Sequence, residues 1–85
     1  MFPMFAVTWT KNTRGKSMLI VDGYAFRRNA MNQRTSHWTC ISRCSTKCRA
    51  RAIVATETYE IIRFDQKHTH SPPNFTIVDG VFIRL

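Results

Sequence analysis

The 85-residue chain is 44% hydrophobic and 12% aromatic, and its 13 Lys and Arg outweigh 5 Asp and Glu to give a net charge of +8. That length allows one small domain with a modest core, the kind that needs a disulfide, a metal or a partner for stability. The apolar content excludes outright disorder. Apolar runs such as residues 18–21 are too short to cross a bilayer, and residues 1–9 lack the basic flank and long apolar stretch of a secretory leader. The expectation is a soluble, intracellular piece of something larger.

In chain order, the first strand signal is Phe-Ala-Val-Thr-Trp at residues 5–9, followed by a basic loop over 11–16. Residues 18–21 and 24–28 flank Asp22-Gly23, a pair that accepts the positive φ angles of a tight hairpin turn. A polar loop is expected over 29–35. Residues 36–41 then alternate as a half-buried strand does, and residues 50–55 do so more weakly. A turn near Glu57-Thr58 leads into a further strand over 58–64. No stretch sustains a 3.6-residue apolar period, and residues 43–47 allow one short turn at most, so the chain reads as mainly β.

Pro72-Pro73 cannot donate to a sheet ladder, so the folded unit is expected to span 1–72. Residues 73–85 form an apolar tail with a second Asp-Gly pair, Asp79-Gly80. An isolated two-stranded hairpin is marginal in water. The tail is therefore expected to be an extra hairpin that docks on the domain or self-associates.

The 3 cysteines are an odd number for a disulfide framework. Cys40, Cys44 and Cys48 lie close together, and His68 and His70 follow after a gap long enough to build structure. Cysteine and histidine together are the ligands of tetrahedral zinc, and structural zinc supplies roughly 10–16 kcal/mol, enough to offset a small core. On a strand, His-Thr-His presents both imidazoles to one face. Spacing alone leaves three choices of cysteine pair. Cys40 closes one strand signal and Cys48 opens the next, so those two flank a single loop with Cys44 at its tip. His37 reads as a surface strand residue.

Gly15, Leu19, the run Gly23-Tyr24-Ala25-Phe26, Trp38-Thr39-Cys40, the run from Cys48 to Ala52 and His68-Thr69-His70 together resemble the FLYWCH-type zinc finger. The resemblance covers about residues 5–72 and puts the Phe at Phe5, the Leu at Leu19, the Tyr at Tyr24 and the Trp at Trp38. It implies one structural zinc held by Cys40, Cys48, His68 and His70. It also implies a small antiparallel sheet related to the WRKY and GCM folds. Cys44 and the tail fall outside the pattern. Modules of this kind are often found at the ends of BTB chromatin proteins of the insulator type in insects, which implies a nuclear location and a chromatin-associated protein partner.

Four protein ligands leave no open position for a catalytic water. The nearest plausible carboxylate, Glu60, lies in a strand pattern, and neither a glycine-rich phosphate loop nor a Ser-His-Asp grouping is present. No enzyme activity is expected.

Between Asp22 and Glu57 there is no acidic residue, and that window carries Arg27, Arg28, Arg34, Arg43, Lys47, Arg49 and Arg51. Arginine's planar fork suits carboxylates and phosphates alike. These seven residues are the expected binding face, for a protein partner first and for DNA as the alternative.

Overall fold

The computed structural model describes residues 7–42 and 47–85. Phe5, Arg43 and Cys44, with most of the turn expected at 43–47, lie outside the described residues. Among the described residues, eight strands form one curled sheet: β1 (Val7–Lys11), β2 (Ser17–Val21), β3 (Tyr24–Met31), β4 (Thr35–Cys40), β5 (Arg51–Ala55), β6 (Ile61–Asp65), β7 (Phe75–Val78) and β8 (Val81–Arg84). From β1 to β6 each strand pairs antiparallel with the next, giving the order β6-β5-β4-β3-β2-β1-β8-β7. The described residues contain no helix, in keeping with the mainly β reading.

Turn chemistry sets the two tightest hairpins. Asp22 and Gly23 have φ of 51° and 83°, and Asp79 and Gly80 have 52° and 76°, so both pairs occupy the left-handed region that a two-residue turn needs. The strands on either side keep strict register, with Val21 opposite Tyr24 and Val78 opposite Val81.

Two expectations about the strands change. Residues 29–31 belong to β3 and not to a loop. A register shift between Arg28 and Ala30 lets β3 continue against β4, and the turn is then closed by Asn32, whose Oδ1 accepts from the backbone N–H groups of Arg34 and Thr35 at 2.8 Å each. The strand expected over 58–64 starts at Ile61. Tyr59 has φ of 58°, which no strand accommodates, and its N–H bonds back to the Ala55 carbonyl at 2.9 Å.

Alternation gives the sheet two different faces. The concave one holds Leu19, Val21, Phe26, Trp38, Cys40, Ala52 and Val54, with Cys48 and Ala50 from the segment before β5. The Trp38 indole N–H reaches the buried Ser36 hydroxyl at 2.8 Å, so the core contains no orphan donor there. Curling brings Trp9 of β1 against both Trp38 of β4 and Tyr59, with ring centroids 5.4 and 5.3 Å apart.

The other face carries Met18, Ile20 and Ala25, and the β7–β8 hairpin lays Phe82 over them. β8 meets β1 through one parallel bridge, Lys11 to Val81, and the Thr10 hydroxyl donates to the Gly80 carbonyl at 2.6 Å. The seal is therefore mostly side-chain burial. Phe82→Ala is expected to destabilise the chain by about 3 kcal/mol, read as a lowered denaturant midpoint, while zinc content stays unchanged.

Candidate metal centre

Cys40 ends β4 and Cys48 lies just before β5, and both are buried. His68 and His70 are half-buried and follow β6. One ligand atom from each of the four lies within 4.8 Å of the others. Cys40 Sγ is 3.2 Å from His70 Nε2, and Cys48 Sγ is 3.4 Å from His68 Nδ1. Zn–S of about 2.3 Å and Zn–N of about 2.0 Å at a tetrahedral angle put sulfur and nitrogen about 3.5 Å apart. The distances and the donor chemistry both fit zinc.

The chain's own side chains preorganise this group. Tyr24 stacks on His68 with centroids 3.5 Å apart and planes 10° from parallel, and its hydroxyl donates to the His70 backbone carbonyl at 3.1 Å. One aromatic residue at the start of β3 thus fixes both histidines. His70 Nδ1 lies 2.8 Å from the Ser71 carbonyl, an arrangement in which Nδ1 keeps its proton and Nε2 is left free to ligate. Phe26 and Phe64 back the pocket, with Phe26 edge-on to His68 at 5.7 Å.

Burial pushes the Cys40 thiol above its ordinary pKa; the backbone hydrogen bond with Ser42 opposes this, and the Cys48 thiol adds to it. Burial also lowers His68, helped by His70 and opposed by Asp65. Both shifts favour neutral groups in the metal-free pocket. A bound zinc reverses the preference at sulfur, since it takes thiolates and neutral imidazoles. When bound, it supplies closure, tying the loop between β4 and β5 to the segment after β6.

The sequence profile of the FLYWCH zinc finger domain matches residues 9–70, well over half of the chain. The chain belongs to the FLYWCH zinc finger family. It carries one structural zinc, consistent with the four-residue cluster. Comparison with curated proteins and with solved structures finds no match.

The residues expected to form a binding face do not all gather. Pairing register runs Arg27–Thr39–Arg51–Asp65 as one row across β3 to β6, on the same face as Met18. Lys47, Arg49 and Arg51 line one groove of about 830 Å³ with Asn29, His37 and Asp65. Arg28 pairs with Trp38 in the register and so points to the opposite face, where its guanidinium lies 3.7 Å from the Met31 sulfur. Arg34 sits in the turn between β3 and β4. The acid-free window also stops short of Arg63 and Lys67, which line a second groove with Arg51. Only the register of β6 against β5 brings them to Arg51.

Chelation of the zinc-loaded FLYWCH chain is expected to abolish the near-UV circular dichroism of its aromatic core in one cooperative step. Cys48→Ser and His70→Ala are each expected to lose bound zinc by native mass spectrometry, whereas Cys44→Ser retains it. Because zinc takes thiolates and neutral imidazoles, acidification is expected to release the metal and unfold the chain in the same step, as followed by native mass spectrometry and circular dichroism at a series of pH values.

Proposed function

We propose that this FLYWCH module is a non-enzymatic, zinc-stabilised recognition element of a nuclear chromatin protein of the insulator type, and that it binds an acidic segment of another chromatin factor. The observation that carries this reading is the groove lined by Lys47, Arg49, Arg51, His37 and Asn29. It is concave and about 830 Å³ in volume, a size that takes side chains and not a duplex. Three cations against the single acid Asp65 leave the groove net positive and suit the carboxylates of an extended peptide, with arginine able to engage them in bidentate fashion. Four protein ligands close the zinc and leave the metal a structural role.

DNA binding is the second reading, supported by the row through Arg27 and Arg51 with Arg63 beside it, exposed on one sheet face. Such a face neutralises phosphates, and its affinity falls steeply with salt.

The two readings separate in one titration. A fluorescent Glu-rich peptide is expected to bind the zinc-loaded chain more tightly than a random-sequence duplex at 150 mM salt, a condition chosen because screening is then about physiological. Arg49→Glu with Arg51→Glu is expected to weaken peptide binding by at least about 10-fold with zinc retained. Tighter binding of the duplex, with a steep salt slope, overturns the peptide reading in favour of DNA.

A further inference from the structure

The sheet has two outer strands, and they are treated differently. β6 is a protected edge: it carries Arg63 and Asp65, its pairing with β5 is broken by a register shift at Ile53 and Val54, and Lys67 follows closely. Charges and bulges are what discourage a foreign strand from adding to an edge. β7, Phe-Thr-Ile-Val, has no charge, no proline and no bulge. Ile77 and Val78 are 39% and 52% exposed, and among the described residues no strand pairs with the outer side of β7.

The two-residue turn at Asp79-Gly80 makes Val78–Val81 a hydrogen-bonded pair. Bonding and non-bonding pairs alternate along an antiparallel ladder, so Thr76 bonds inward to Ile83, and Asn74 again does so with Leu85, whose N–H reaches the Asn74 carbonyl at 2.9 Å. The backbone groups of Phe75 and Ile77 are therefore directed out of the edge.

We propose that β7 is a self-association edge, which pairs antiparallel with β7 of a second copy of this chain about a two-fold axis at Thr76. That register sets Phe75 opposite Ile77 of the other copy and Ile77 opposite its Phe75, so all the outward backbone groups of both strands are satisfied. Charge selects the same orientation. The hairpin has an exposed acid, Asp79, at its turn and an exposed base, Arg84, at its open end. Antiparallel docking brings the turn of each hairpin toward the open end of the other, whereas parallel docking places like charge beside like. An isologous contact of this kind closes on itself and gives a dimer, not a fibre. This surface is separate from the groove of Lys47, Arg49 and Arg51.

Sedimentation velocity of the zinc-loaded chain across a concentration series tests this. The expected result is a concentration-dependent monomer–dimer equilibrium. Ile77→Pro removes an outward N–H without touching the bonds between β7 and β8, and is expected to weaken the dimer by at least about 10-fold. Arg84→Glu is expected to weaken it as well. Zinc stoichiometry and circular dichroism, unchanged in both variants, show that they remain folded. A chain that stays monomeric throughout overturns the proposal. So does a dimer indifferent to both substitutions, which would place the contact elsewhere.

Discussion

Two thiols and two imidazoles facing one another in a half-buried pocket form the constraint on which the rest of the molecule depends. Burial raises Cys40 and lowers His68, so the empty pocket favours the neutral form of each of these two groups. A dication converts the arrangement into a crosslink between parts of the chain that are some thirty residues apart, as Cys40 and His70 are. In a chain of 85 residues, whose core is one face of a curled sheet plus a small second cluster, that crosslink replaces much of the apolar burial a larger domain would have.

The sheet serves the crosslink through Tyr24. The Asp22-Gly23 turn sets the start of β3, and from there Tyr24 stacks on one histidine while holding the backbone of the other. The reverse face divides along its cross-strand rows. Near β1 and β2 it is apolar and sealed by Phe82; from β3 to β6 it is cationic and open. A single period-2 pattern thus produces the metal pocket on one side, and a hairpin dock with a charged surface on the other.

Much of this was legible in the residues. Asp-Gly pairs marked two hairpins because so few dipeptides accept both positive φ angles, and His68-Thr69-His70 with the preceding cysteines marked the donor set. The strand boundaries were harder to read. Nothing in the run Arg28-Asn29-Ala30 announces a bulge that keeps β3 going, and Tyr59 has every strand preference yet occupies a left-handed turn where it packs on Trp9. Charge was the least readable. An acid-free window is a property of sequence, whereas a surface depends on register, so Arg28 turned to the other face while Arg63 joined from outside the window.

The order of the strands also bears on how the chain assembles as it is made. From β1 to β6 every neighbour in space is the next in sequence, so the sheet can zip up hairpin by hairpin behind the ribosome. The outer side of β1 is the exception. Its partner, β8, begins at Val81, and the aromatic plug on the reverse face is Phe82. Until those residues emerge, the nascent sheet has an uncovered margin at β1 and an uncovered patch at Met18 and Ile20. The histidine clasp is already complete at that stage. The β7–β8 hairpin, made after the strands it covers, therefore acts as a built-in cover, and the interval before it arrives is when this chain is most open to pairing with the wrong neighbour.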